Sequence, residues 1–178
     1  MEKEPHGTES AEEKPVLVET IVWKGVEHTL ELYASDELPD GPVSQVQCVA
    51  FTSGGQVVLY KHIDGYVGLP GGTVEGGESI EDSLHREVDE ETAAKITKSG
   101  QIAYLKDTNE ETGEHTFQVR YWAEVDLLDT NVADPDGKAL ERVVVDPTQV
   151  VELLGDGWGD RGAVLLELAI QAKKSVED

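Results

Sequence analysis

Apolar positions recur in this chain with two different periods. Val16 to Trp23 and Val26 to Tyr33 are rich in β-branched and aromatic residues and are joined by Lys24-Gly25, a pattern that predicts a hairpin. Ser35 to Pro42 is broken by Pro39, Asp40, Gly41 and Pro42 and reads as a loop. Val43 to Phe51 and Gln56 to Tyr60 then predict a second strand pair around Ser53-Gly54-Gly55, followed by a glycine-rich loop. From Ser79 the period changes. Ile80, Leu84 and Val88 follow one another at about 40 degrees on a helical wheel, which predicts an amphipathic helix with Ser79 and Asp82 as an S-x-x-D capping box. Gln101 to Lys106 and Thr116 to Val125 are further strand candidates, separated by a polar loop that carries Glu110, Glu111 and Glu114.

Arg142 to Val145 predicts a short strand, and Asp146-Pro147 supplies the cap and first position of a short helix ending at Gly155. A last helix is expected from Asp160 or Arg161 to about Lys174, with Val164, Leu165, Leu168, Ala169 and Ala172 as its apolar surface. Lys173-Lys174 suit its negative end. Strands interleaved with two long helices predict an α/β sandwich with a mixed sheet.

On the wheel Glu91 projects within this stripe and Glu87 lies just beside it, with Glu90 a step further round. Carboxylates on an apolar stripe are partly withdrawn from water, and two of them about 4 Å apart repel by roughly 4 kcal/mol at an effective dielectric near 20. Such a cluster calls for a positive partner. Oxygen ligands one turn apart suit a hard divalent cation, Mg2+ or Mn2+.

Composition narrows the partners. The 37 Asp and Glu against 14 Lys and Arg give a formal charge of -23. That disfavours a nucleic-acid polymer, since Lys173-Lys174 is the longest basic cluster. A small phosphorylated substrate is compatible, because a bound metal reverses the field locally. The dispersed acidity fits a surface adapted to high salt, with an ordinary acidic protein as the alternative. A chain of 178 residues with 38% hydrophobic content suits one compact domain over 16–178, and the first fifteen residues read as a disordered acidic tail. No run of about 18 apolar residues predicts a membrane span. Cys48, alone in an apolar run, reads as a core residue, with the cytoplasm as the default compartment. A homodimer is left open.

The stretch around this helix resembles the Nudix box, G-x5-E-x7-R-E-U-x-E-E-x-G-U, where U is apolar. Gly72 opens it, Glu78 follows, and then come Arg86, Glu87, Val88, Asp89, Glu90, Glu91 and Thr92. Ala93 stands in place of the box glycine and Ala94 in place of the last apolar residue, so the helix is expected to run on past its usual exit. The preceding Gly65 to Gly72 resembles the run that leads into the box, with Val67 where tryptophan is common. Rival readings are an acidic amphipathic helix after a glycine loop and a phosphate-binding P-loop. The second lacks the Gly-Lys-Ser/Thr that such a loop needs.

The resemblance implies a Nudix-type αβα sandwich in which Glu87, Glu90 and Glu91, with the main-chain carbonyl of Gly71, hold Mg2+ or Mn2+. Glu91 is the first choice for an essential ligand, while Arg86 and Glu78 orient. It also implies a pyrophosphohydrolase that cleaves a nucleoside diphosphate linked to another moiety. The alternative is a catalytically silent domain that senses a nucleotide ligand or serves as an interaction module. One further acid from a loop is expected by the same resemblance, with Glu110, Glu111 and Glu114 as candidates against the plainer reading of solvated loop charges. His62, His85 and His115 are expected at the surface. Tyr66, Tyr104, Trp122 or Trp158 could stack a base, although Trp122 fits the core equally well.

Overall fold

A computed structural model of the protein describes residues 13–177, so that of the expected tail the first twelve residues lie outside the described ones. Leu17–Trp23 (β1) and Val26–Ala34 (β2) form the predicted hairpin. Its two-residue turn takes positive φ at both Lys24 and Gly25 (52° and 85°), the primed geometry that matches the twist of the flanking strands. Val43–Phe51 (β3) and Val57–His62 (β4) follow.

The glycine-rich segment departs from the expected loop. It forms two short strands, Val67–Gly68 (β5) and Gly71–Thr73 (β6). The edge of β3 is divided between two partners, β6 against residues 45–47 and β4 against residues 50–51. Between them Cys48 donates its N–H to the Pro70 carbonyl at 3.0 Å. Only glycine tolerates this approach, because a Cβ at Gly71, where φ is 147°, would lie 2.1 Å from the Val46 carbonyl oxygen.

Ile80–Thr92 (α1) is the predicted amphipathic helix. The Ser79 hydroxyl accepts the Asp82 N–H at 3.0 Å, and only this half of the capping box forms among the described residues. The helix does not run on past Thr92. Ala93 adopts the left-handed conformation (φ 48°, ψ 52°) that a glycine would take and donates its N–H to the Asp89 carbonyl. Directly after it begins Ala94–Asn109 (β7), longer than expected, paired with His115–Leu127 (β8). Ala139–Val145 (β9) pairs with β4, and Asp146 caps a 3-10 turn that leads into Val150–Leu154 (α2), ended by Gly155. Gly159–Glu177 (α3) closes the described chain.

The sheet runs β1-β2-β7-β8-β3-β4-β5, with β6 beside β3 and β9 beside β4, and is mixed because β3 and β8 are parallel. Alternation along β3 and β8 separates two cores. Val46, Cys48, Ala50, Val119 and Ala123 pack with Leu84 and Val88 of α1. Val49, Phe51 and Trp122 pack with Leu165, Leu166 and Ala169 of α3. The result is the αβα sandwich expected from the sequence, with α1 on one face and α3 on the other.

Candidate active site

The apolar stripe of α1 fixes the rotation of the helix, and that rotation sets the carboxylates. Leu84 and Val88 are fully buried, and Glu91 on the same stripe is only 8% exposed. Its Oε2 accepts the Gly71 N–H at 2.8 Å, and no cationic side chain pairs with it among the described residues. Burial, with the Glu87, Asp134 and Glu90 charges adding to it against the Gly71 hydrogen bond, pushes the Glu91 carboxyl up to about 8. Glu87 lies against the glycine strand, where a Cβ on Gly72 would come within 2.4 Å of its Oε1. Burial raises the Glu87 carboxyl too, opposed by the Arg86 guanidinium.

Arg86 is the one cation shared among the other box acids. Its Nε and Nη2 donate to the two oxygens of Glu78 at 2.8 and 3.1 Å, and its Nη1 donates to Glu87 at 2.8 Å and to Glu90 at 3.3 Å. Nη2 also reaches the Thr73 carbonyl at 3.2 Å, which ties α1 to β6. The bidentate pair holds the Glu78 carboxyl down at about 2.

Gly71, Arg86, Glu87, Glu90 and Glu91 line one cavity of about 430 Å³, whereas Glu78 braces Arg86 without lining it. Three carboxylates and a main-chain carbonyl are a hard oxygen donor set, which fits a divalent cation of the Mg2+ or Mn2+ kind. Among the described residues no three acids or imidazoles are yet gathered about a common position. Arg86 draws Glu87 and Glu90 towards itself, and Gly71 meets Glu91 through its N–H.

The acids that line this cavity from outside the helix are Glu75, Asp134 and Asp136, not the expected loop glutamates. Glu110, Glu111 and Glu114 sit at the exposed β7–β8 turn, and Glu114 borders a different cavity with Trp23 and His28. Asp134 stands in the Asp-Pro-Asp-Gly turn before β9, accepting N–H bonds from Asp136, Lys138 and Ala139 at 3.0, 2.8 and 2.7 Å. Partial burial raises its carboxyl, but those three bonds outweigh it and leave the group below its ordinary range. The turn signature was the available signal.

His62 is likewise not a surface residue. It is 9% exposed, lines the cavity and stacks on Tyr66 with ring centroids 4.2 Å apart, because β4 turns it inward beside Tyr60. His85 and His115 are exposed as expected. Of the stacking candidates, Tyr66 borders this cavity, Trp122 is core, Tyr104 stacks on Tyr33, and Trp158 borders a neighbouring cavity. Gln45 and Gln47 line both cavities, signalled in sequence only as polar residues alternating with the apolar ones of β3.

The αβα sandwich thus sets an acidic helix against a glycine strand at the wall of one cavity. The NUDIX domain family model matches residues 41–168, and the chain belongs to the Nudix family. The fold is similar to a NUDIX hydrolase from Nitrosomonas europaea (TM-score 0.61, 18% identity, covering 75% of this chain and 91% of that one). It is also similar to a pyrophosphohydrolase of Bacillus subtilis (TM-score 0.56, 24% identity, 66% and 71%) and a MutT NUDIX hydrolase from Burkholderia pseudomallei (TM-score 0.53, 21% identity, 72% and 98%). No curated protein matches the chain. Nudix hydrolases generally use divalent metals and small nucleotide-type substrates. No helix among the described residues is long and apolar enough to cross a membrane.

Proposed function

We propose that this chain is a Mg2+- or Mn2+-dependent pyrophosphohydrolase that cleaves a nucleoside diphosphate linked to another moiety. The observation that carries the reading is Glu91: a buried carboxylate on the cavity wall with a backbone N–H but, among the described residues, no cationic side chain as partner. Glu87, Glu90 and Glu91, with the Gly71 carbonyl, would hold the cation. Bound there, it would neutralise charge developing on phosphorus and lower the pKa of a water.

The chain's own groups account for the rest. Arg86 orients Glu87 and Glu90 while Glu78 anchors the guanidinium from behind. Gly71 holds Oε2 of Glu91 through its N–H, which favours the ionised form against the cost of burial. Lys138 offers an ammonium, and Gln45 and Gln47 offer amide donors, to phosphate oxygens in the cavity. Tyr66, half exposed and stacked on His62, gives a flat face for a nucleobase.

A panel of nucleoside diphosphate derivatives and nucleoside triphosphates, assayed with Mg2+ and with Mn2+, tests this. The expected product is a nucleoside monophosphate, formed only with metal. Turnover that persists in chelator, or none on any member, contradicts it.

A further inference from the structure

On the α3 side of the sheet a second cavity, of about 190 Å³, adjoins the first through Gln45 and Gln47. Arg120 forms part of its wall. In a chain of net charge -23, this guanidinium is 4% exposed and pairs with no carboxylate among the described residues. Its Nη2 donates to the Gln118 side chain at 2.6 Å and its Nη1 to the Val119 carbonyl at 3.3 Å, while Nε has no partner. Burial, with Arg161 nearby, lowers its pKa to about 9. Arg161 lines the same cavity, pairs with Glu19 at 2.6 Å and lies over the Trp158 ring at 5.5 Å. Asp107, the carboxylate that also borders the space, is bonded to His28 Nδ1 at 2.6 Å.

A buried guanidinium with an unused donor and no counter-charge is costly unless something supplies the missing acceptor. Arg120, Arg161 and the two glutamine amides present many donors to one space, which suits a tetrahedral anion better than a single neutral acceptor. We propose that this cavity is a subsite for a phosphate group, carried by the substrate at a position remote from the bond that is cleaved. Its place on the substrate rests on the pyrophosphohydrolase reading. The binding itself does not.

The first arm of the test uses metal-free protein in chelator and titrates inorganic phosphate at constant ionic strength. Nuclear magnetic resonance should show a saturable shift of the Arg120 Nε–H and of the Trp158 indole N–H, the Trp158 shift being absent in Arg120→Met and weakened in Arg120→Lys, which keeps the charge without the fork. Arg120→Met should melt at or above the parent temperature, since an uncompensated buried charge is gone. No saturable shift, a shift unaltered by Arg120→Met, or a variant that melts well below the parent overturns the subsite.

The second arm compares diphosphate substrates differing by one phosphate, NADP+ against NAD+ and coenzyme A against its 3′-dephospho form. The parent should favour the phosphorylated member by about tenfold in kcat/KM for at least one pair, and Arg120→Met should bring the ratio near unity. A phosphate shift without any such preference overturns the placement on the substrate. If neither pair is hydrolysed although another member of the nucleotide panel is, the placement on the substrate is overturned; if nothing in the panel is hydrolysed the pyrophosphohydrolase reading fails, and in both cases the first arm still decides whether phosphate binds.

Discussion

The two faces of the sheet leave opposite charges incomplete. On the α1 face Glu78, Glu87 and Glu90 share one guanidinium and Glu91 has none among the described residues, so the deficit is of positive charge. On the α3 face Arg120 is buried without a carboxylate partner among the described residues, so the deficit is of negative charge. Neither arrangement is explained by stability, since unpaired buried charge lowers it. Together they are complementary to a cation and to a phosphorylated ligand lying across Gln45 and Gln47.

The largest effect should follow from Glu91→Gln, which removes the carboxylate and keeps its volume. Assayed with metal, the variant should turn over nucleotide substrates slower by two or more orders of magnitude, each order being about 1.4 kcal/mol of transition-state stabilisation. Metal-free, it should be at least as stable as the parent. The sign follows from the raised carboxyl. A group lifted from 4.5 to about 8 on folding contributes its stability below about 4.5 and loses it as pH rises towards 8. The parent should therefore lose on the order of 5 kcal/mol relative to the variant across that window, measured by denaturant unfolding in chelator. Asp89→Asn, which breaks only an exposed pair with Lys95, should leave the rate nearly unchanged. The reverse ranking of the two variants would mean that the rotation of α1 has been misread.

Next in size is Arg86→Met. Three carboxylates lose their common partner, and because the guanidinium is partly exposed the cost should be about 2 kcal/mol in chelator. Divalent metal should recover part of it by binding the glutamates. An equal loss with and without metal would separate Arg86 from the metal-binding carboxylates.

The smallest effect is Ala93→Gly. The left-handed conformation costs a non-glycine residue about 1 to 2 kcal/mol, and the extra freedom of glycine in the unfolded chain offsets about half of that. A net gain of about 0.5 kcal/mol should appear as a slightly higher melting temperature. A lower one would mean that the buried Ala93 methyl matters more than the backbone.

That position also shows where the sequence was and was not legible. The periodicity of α1 carried its rotation, and with it the burial of Glu91 and the half-burial of Glu87. Propensity alone suggested that two alanines would continue the helix, whereas the pairing of Ala94 with Leu127 pulls the chain into a strand at once. Gly76 and Gly77 stay in a turn as expected, whereas Gly71 and Gly72 are strand because β3 has a free stretch of edge to pair with, a tertiary fact absent from local pattern. Asp134 and His62 escaped for the same reason. One sits in an ordinary-looking turn and the other at a strand end, and only the docking of β9 and β5 on β4 brings both to the cavity. Arg120 reads in sequence as one more strand residue, and its isolation from acids is a property of the packed sheet.

The central claim is that the α1 carboxylates form a cation site completed by a divalent ion. Titration of Mn2+ into the parent and into Glu91→Gln, followed by calorimetry in low-salt buffer, tests it most directly. The parent should bind Mn2+ saturably and gain melting temperature as it does so, through preferential binding to the folded state, and Glu91→Gln should bind at least about tenfold more weakly. Equal affinity in the two proteins, or no binding by the parent up to millimolar Mn2+, would contradict it.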